Sequence, residues 1–153
     1  MSISLCNDQM LLFKHKTNVY IAPTLRAYQT FHGRKFIQAF TNEGKWVGAN
    51  ILMREVSQHP EWMVTFDNKS EIKCDEFLTF FKDGVEVKVT DLKTGDYVDA
   101  NTNKVDKAQI IPNGKLLVTS VSELESKTDW LFGFEFDDNE SKPFVLANGV
   151  IVK

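Results

Sequence analysis

Residues 144–153, FVLANGVIVK, decide the fold that the sequence predicts. Two short apolar runs flank Asn148-Gly149, and an Asn-Gly pair in this setting is one of the strongest local signals for a tight β-hairpin. The second run ends with the sequence, at Lys153. We therefore predict a C-terminal strand in the core of the protein, at a place suited to chemistry.

The same pattern of turns and short apolar runs continues through the rest of the chain. Further turn signals are His32-Gly33, Asn42-Glu43-Gly44, Asp67-Asn68, Asp83-Gly84 and Asn113-Gly114. Runs of strand type, rich in Val, Ile and Phe, are residues 10–13, 19–21, 35–40, 63–66, 85–89, 116–118 and 131–136. Strict alternation in 85–89 and 132–136 predicts one buried and one wetter face. Helical signals are confined to residues 24–29 and 90–93, so we predict an all-β domain built from hairpins.

Composition and charge exclude several classes of protein. The 153 residues fit one domain, 1–153, and the net charge of −3 without a basic block gives no footprint for nucleic acid. Cys6 and Cys74 have neither the number of a disulfide framework nor a zinc spacing, which favours a reducing compartment. No apolar run has the length of a membrane span, and no leader is recognisable. We expect a soluble, cytoplasmic monomer with no cofactor, metal, nucleic acid or membrane partner.

One polar segment interrupts the pattern, and common catalytic motifs are missing. Residues 99–109, DANTNKVDKAQ, have no period, so we predict a surface loop that tolerates cuts and insertions. The sequence contains no Gly-rich phosphate loop, HExxH or GxSxG motif, and His15, His32 and His59 are scattered. The residues alone indicate a soluble β-rich domain and no more.

Four segments, taken in order, resemble a known family. They are the start of the chain, where Ser2 precedes an apolar strand, then residues 65–78, 87–98 and 130–152. The last includes WLFGFEF (130–136), KPF (142–144) and ANGVIV (147–152). In order and spacing they resemble the motifs of the inteins, the protein-splicing domains of the HINT fold. The serine start is similar to that of inteins in B-family DNA polymerases, and the resemblance covers most of the chain.

The resemblance implies a fold and an activity. The expected fold is all-β, a compact, horseshoe-like closed structure with both termini central. The expected activity is self-processing in a single turnover. The first residue attacks the preceding carbonyl to form an ester, the ester passes to the downstream extein, and a terminal Asn cyclises to release the joined exteins. The implied partners are the two exteins, with a DNA polymerase as a host. A complementary half joins them if the intein is split, and the loop at 99–109 is where a split or an endonuclease insertion is expected.

At the N-terminal side, the resemblance assigns Ser2 as the nucleophile. Cys6 is a rival start, although an internal Cys is more often a small core residue. Where the family has a Thr and, three residues later, a His, this sequence has Lys73 and Glu76 with Asp75 between them. These residues either activate the scissile bond in another way or form a solvated strand end. His59 is a candidate substitute for the family's His, the alternative being a loop histidine.

At the C-terminal side, Gly133 stands where the family usually has Asp, and Lys142 stands where it has His. Lys153 falls at the penultimate position, which is usually His, and no terminal Asn follows it. An ammonium is no general base unless burial lowers its pKa. We therefore expect an intein trimmed or mutated to stop splicing, with two split halves fused through residues 101–107 as one origin.

Two other classes stay open at this point. A non-catalytic β-rich module, such as a phage binding or structural protein, predicts that Ser2 and Lys153 lie far apart or are disordered. Another HINT domain, of the hedgehog or bacterial self-cleaving type, needs a downstream adduct-forming segment that this sequence does not contain. The intein interpretation predicts that the two ends lie within a few Å of each other.

Overall fold

The computed structural model describes residues 3–32, 34, 36–55, 61–101, 114–125 and 130–153. The described chain contains fourteen strands, one α-helix (α1, Thr24–Phe31) and one 3₁₀ turn (Val89–Asp91). The first seven strands are β1 (Leu5–Cys6), β2 (Met10–His15), β3 (Asn18–Pro23), β4 (Ile37–Phe40), β5 (Trp46–Glu55), β6 (Glu61–Phe66) and β7 (Glu71–Asp75). The others are β8 (Thr79–Lys82), β9 (Val85–Lys88), β10 (Tyr97–Ala100), β11 (Gly114–Leu124), β12 (Trp130–Phe136), β13 (Phe144–Val145) and β14 (Ile151–Val152).

The strands form two antiparallel sheets. The larger has the order β10-β11-β6-β7-β1-β12-β5-β4-β2-β3, and the smaller has the order β13-β14-β8-β9. The all-β prediction is confirmed. The predicted closure is wrong for the described residues, because β10 and β3 end the large sheet and do not pair with each other.

Both terminal strands lie inside their sheets, as predicted. The two residues of β1 are held between β7 and β12, with Leu5 opposite both Cys74 and Phe132. At the other end of the chain, β14 lies between β13 and β8. A two-residue strand has few hydrogen bonds of its own, so its position depends on the neighbours that flank it.

Phenylalanine side chains join the two sheets. Phe132 and Phe136 of β12 are at most 2% exposed, and Phe134 meets Phe144 of β13 edge to face at 5.0 Å between ring centroids. Aromatic pairs in this geometry contribute about 0.5–1.5 kcal/mol beyond the area that they bury. The core therefore runs from the middle of the large sheet into the C-terminal hairpin.

The helix is short and packs one face on the large sheet. It begins directly after Pro23, and its buried residues are Thr24, Ala27 and Phe31. The Thr24 hydroxyl donates to the carbonyl of Cys6, which ties the helix to β1. The described part of the chain contains no helix with the length and apolar character that crossing a bilayer requires.

The C-terminal hairpin is confirmed, although its turn is not the two-residue type that Asn-Gly favours. The N–H of Gly149 donates to Leu146 O at 2.9 Å, and Leu146 N–H donates to Val150 O at 3.0 Å, which closes a three-residue loop. Gly149 has a φ of +92°, whereas Asn148 is not among the described residues with positive φ. This is the arrangement of a type I turn followed by a left-handed glycine.

The predicted turn at Asp83-Gly84 is also confirmed, and a buried carboxylate holds it. Both residues have positive φ, 52° and 80°, as a two-residue type I′ turn requires. Asp99, which is 4% exposed, accepts the N–H groups of Asp83 at 3.1 Å and Gly84 at 2.8 Å. Asp99 and Ala100 belong to β10, so the predicted surface loop is wrong for its first residues. Residues 102–109 of that loop lie outside the described residues.

Two predictions of strand faces are wrong. Val85 is 65% exposed although the alternation in 85–89 places it on the buried face, because β9 is an edge strand of the small sheet. In β12 the buried residues are nearly continuous, since Leu131 and Gly133 on one face and Phe132 and Phe134 on the other are all buried. The ten-residue strand β5 was not predicted at all, since WVGANILMRE shows no alternation.

Candidate functional site

A short connection between the two sheets holds both ends of the described chain. We call it the bridging segment, residues 75–79, from the last residue of β7 to the first residue of β8. At its start, the N–H of Asp75 donates to the carbonyl of Ser4 at 2.9 Å. At its end, Thr79 and Lys153 exchange two backbone hydrogen bonds, of 3.1 and 2.9 Å. The backbone near the N-terminus and the backbone of the C-terminal residue are thus bound by one piece of chain.

The length of the bridging segment limits the distance between these two attachment points. Four residue steps span at most about 14 Å when fully extended. The segment is not fully extended, because Phe77 N–H donates to the Asp75 carboxylate at 2.9 Å, which is the local turn that Asp favours. Ser4 and Lys153 therefore lie near each other although they are at opposite ends of the sequence.

An open cleft of about 570 Å³ lies where the two ends meet. Its lining includes Ile3, Ser4, Arg54, Thr79, Lys88 and Lys153. Glu86 is the acidic residue among the described residues of the lining. The cleft therefore presents three cationic side chains to whatever enters it, which suits chemistry that develops negative charge on oxygen.

Two lysines of the cleft are held by specific partners. The Lys88 ammonium donates to Thr79 Oγ1 at 2.6 Å and to the carbonyl of Phe77 at 3.0 Å. The Lys153 ammonium lies 2.9 Å from Glu86 Oε1, and this hydrogen bond lowers the pKa of the Glu86 carboxyl. Both ammonium groups therefore bind the walls of the cleft as donors.

Arg54, near the end of β5, connects the N-terminal segment to the bridging segment. One guanidinium nitrogen, Nη2, donates to the carbonyl of Ile3 at 3.2 Å. The same nitrogen lies 3.5 Å from Asp75 Oδ2, whose side chain is 1% exposed. A buried carboxylate needs a countercharge and hydrogen bonds, and Arg54 supplies part of both.

Of the residues that the sequence analysis selected, Asp75 and Lys153 lie at this junction. Asp75 is almost fully buried, so the alternative of a solvated strand end is wrong for this residue. Lys153 lines the cleft and holds its backbone on Thr79. Ser2 and His59 lie outside the described residues, so their roles stay predictions.

The other selected residues are not part of the described cleft lining. Lys73 is on the surface, 2.6 Å from Asp8, and this hydrogen bond raises the pKa of the lysine. Lys142 lies 2.5 Å from Asp138, which raises the lysine pKa in the same way, although its neighbour Ser141 lines the cleft. Glu76 is half-buried in the turn of the bridging segment. Their assignment to catalysis rests on the resemblance alone.

Cys6 is a core residue, which is the interpretation that the sequence analysis favoured over a rival start of the intein. It is 1% exposed in β1, and Cys74 of β7 is 0% exposed; both thiols are free. Burial raises the pKa of both thiols, and the nearby carboxylates of Glu61 and Asp75 raise it further. A thiol kept protonated in this way is a poor nucleophile.

The raised pKa of Cys74 predicts a loss of stability in alkali. In the unfolded chain the Cys74 thiol has its ordinary pKa of 9.0 and ionises as the pH rises above that value. In the folded protein the pKa is higher, so the thiol stays neutral there. Its contribution is therefore fully present below pH 9.0 and falls by about 1.4 kcal/mol per pH unit above it. Urea denaturation at pH 8 and pH 10 of the protein and of its Cys74→Ala variant measures this, since the variant lacks the contribution. An equal pH dependence of the two proteins would contradict the prediction.

Several residues of the cleft were missed by the sequence analysis. Thr79 and Lys88 had a usable signal, because a two-residue turn at Asp83-Gly84 places them opposite each other as the fourth pair from the turn. Arg54 had none, because it meets Ile3 across 51 residues of sequence. Glu86 meets Lys153 only because β14 pairs with β8.

Comparison with known proteins places this fold. No protein-family model and no curated protein sequence matches the chain. Among solved structures, a transcription factor IIB Mvu mini-intein matches with a TM-score of 0.74 and 13% identity over 99% of both chains. A DnaB intein from Synechocystis sp. PCC 6803 matches with a TM-score of 0.69 and 11% identity, covering 97% of this chain and 96% of its own. The Pab PolII intein matches with a TM-score of 0.72 and 11% identity over 96% and 98%. The chain therefore has the fold of the inteins.

Proposed function

We propose that this chain is an intein, a domain that excises itself and joins the two flanking polypeptides. The observation that supports the proposal most is the bridging segment, which binds Ser4 at one end and Lys153 at the other. Splicing requires both junctions at one site, because each step is an intramolecular attack whose rate depends on proximity. A binding or structural module has no need for this convergence.

The first step is assigned to Ser2. Its hydroxyl attacks the carbonyl of the preceding residue, the proton passes to the amide nitrogen, and the C–N bond gives way to an ester. The carbonyl oxygen carries negative charge in the tetrahedral intermediate. Donors fixed beforehand stabilise such an oxyanion strongly, and the cations of the cleft provide a favourable field for it.

The later steps take place at the C-terminal strand. A hydroxyl or thiol on the first residue of the downstream extein attacks the ester carbonyl, and the Ser2 hydroxyl leaves. An Asn after Lys153 then attacks its own backbone carbonyl through the side-chain nitrogen, which forms a succinimide and breaks the peptide bond to the downstream extein. The amino group freed in this way attacks the remaining ester carbonyl, so that the exteins are joined by a peptide bond. The backbone bonds between Thr79 and Lys153 hold this junction in the cleft. Lys153, paired with Glu86, serves as a donor here and not as a general base.

The remaining assignments belong to the same proposal. Lys73, Glu76, Lys142 and His59 are retained as candidates on the resemblance alone. The exteins are the expected partners; a DNA polymerase host, a phage origin and a natural split stay predictions. The residue that follows Lys153 decides whether the last step takes place.

The test places one carrier protein ahead of Met1 and a second after Lys153-Asn-Ser. We expect intact-mass spectrometry to find the two carriers ligated and this chain excised. Ser2→Ala should remove the ligated product, whereas Cys6→Ala should retain it; the opposite result would assign Cys6 as the nucleophile. The proposal is overturned if neither junction is cleaved while the chain still unfolds cooperatively.

A further inference from the structure

Arg54 and Asp75 together hold the backbone just after Ser2. The guanidinium donates to the carbonyl of Ile3 at 3.2 Å, and the N–H of Asp75 donates to the carbonyl of Ser4 at 2.9 Å. The two carbonyls are successive, and their donors come from different strands. Holding two successive carbonyls in this way fixes the orientation of the two peptide groups to which they belong, Ile3-Ser4 and Ser4-Leu5.

Asp75 is suited to orient the guanidinium. Its side chain is 1% exposed, Oδ1 accepts the N–H of Phe77 at 2.9 Å, and Oδ2 lies 3.5 Å from Arg54 Nη2. A carboxylate held on one oxygen and buried against its countercharge has little freedom to move. Arg54 is 43% exposed, so without this partner its long side chain would have many other conformations.

The position of Asp75 in the sequence adds to the argument. It lies in the stretch Lys73 to Glu76, where this chain departs from the Thr and His that the resemblance leads one to expect. Of these residues, Asp75 contacts both the N-terminal segment, through its N–H, and a cation of the cleft, through its carboxylate. The stretch therefore contacts Ser4 directly and Ile3 through Arg54.

We propose that Arg54, oriented by Asp75, is a positioning residue for the N-terminal step. It acts by holding the Ile3 carbonyl, so that the Ser2 hydroxyl is kept in line for attack on the carbonyl before it. The inference rests on the proposed function. A misplacement of about 1 Å in such an intramolecular attack costs on the order of 10²-fold in rate.

The test separates the two junctions in the fusion described above. With Ala in place of the Asn after Lys153, cleavage by hydroxylamine measures ester formation at the N-terminal junction alone. With Ser2→Ala and the Asn restored, C-terminal cleavage is measured alone. We expect Arg54→Ala to slow N-terminal cleavage about 10- to 100-fold and to change C-terminal cleavage less than twofold.

Two further variants distinguish positioning from a general structural role. Arg54→Lys keeps the charge but lacks the planar fork, so it should recover part of the lost rate. Arg26→Ala removes a matched charge from the exposed face of α1 and should leave both rates unchanged. Equal slowing at both junctions, or no slowing by Arg54→Ala, would overturn the proposal.

A measurement on the chain as it stands needs no splicing. Hydrogen exchange with mass spectrometry should show faster exchange in the N-terminal peptide of Arg54→Ala, by roughly tenfold, and no change in a peptide covering β6. Unchanged exchange would overturn the positioning role even if the chain splices. Faster exchange together with no cleavage by the unaltered chain would overturn the proposed function, and with it the role of Arg54 in the N-terminal step, while leaving its contact with Ile3 in place.

Discussion

Replacement of Gly149 by Ala is expected to lower the free energy of unfolding by about 3 kcal/mol or more. Gly149 has a φ of +92°, a conformation that costs an L-residue about 1–2 kcal/mol. A Cβ at this position would lie 2.6 Å from the backbone oxygen of Asn101. The turn would have to move away, and the 2.7 Å hydrogen bond from Asn101 N–H to Gly149 O would weaken or break, at a further cost of about 1 kcal/mol.

A matched control isolates the close approach from the backbone strain. Gly95 has nearly the same φ, +99°, but a Cβ there would meet no atom within 4 Å. Gly95→Ala should therefore cost only the strain, about 1–2 kcal/mol. Denaturation in urea at neutral pH measures both variants against the unaltered protein. Equal losses of unfolding free energy at the two positions would contradict the prediction, because they would mean that the contact with Asn101 adds no cost.

Cutting the chain within residues 102–113 is expected to give two fragments that fold only together. In the large sheet, β11 lies between β10 and β6, and β12 lies between β1 and β5. The two strands that the C-terminal fragment contributes to the large sheet are thus flanked by strands of the N-terminal fragment. Among the described strands of the C-terminal fragment, only β13 and β14 pair with each other. Neither fragment can build the core alone.

The association of the two fragments should be tight. Interfaces of this obligate kind are large and apolar, and they resemble a domain core cut in two. After the cost of ordering both fragments, we expect a dissociation constant of about 10⁻⁸ M or lower, roughly −11 kcal/mol. Calorimetric titration and light scattering after gel filtration measure the affinity and the 1:1 mass.

Two variants of the C-terminal fragment serve as controls. Phe132→Asp places a charge at a position that is 0% exposed at the centre of β12, and should abolish association at micromolar concentration. Glu123→Gln, on an exposed position of β11, should not change it. Fragments that each unfold cooperatively on their own would contradict the prediction. A positive result would support a split at this position as feasible without deciding whether the natural protein is split.

Local chemistry explains which parts of the fold were predictable. The turns at Asp83-Gly84 and Asn148-Gly149 form where predicted, because a glycine supplies the positive φ that each turn needs. The helix after Pro23 also begins as predicted and extends to Phe31. The exposure of Val85 and the existence of β5 were not predictable, because they depend on which strands lie alongside and not on the residues of the segment.

The candidate site was predicted only in part. Lys153 and Asp75 were selected by resemblance, and the structure brings both to the junction of the two ends. Lys73 and Lys142 were selected in the same way, and ion pairs with nearby carboxylates hold them on the surface. A motif identifies positions along the chain, whereas the direction of a side chain depends on partners that are distant in sequence.

The sequence by itself determined the hairpins, the all-β class and the resemblance to a protein-splicing domain, because turn residues and apolar runs act over a few neighbouring positions. Only the tertiary structure decided that Ser4 and Lys153, next to β1 and β14, are bound at the two ends of one bridging segment. It also decided that Arg54 meets Ile3 across 51 residues. The physical reason is that backbone N–H and C=O groups are chemically alike along the chain and do not specify a partner strand. The pairing of distant strands is therefore selected by burial of the whole core.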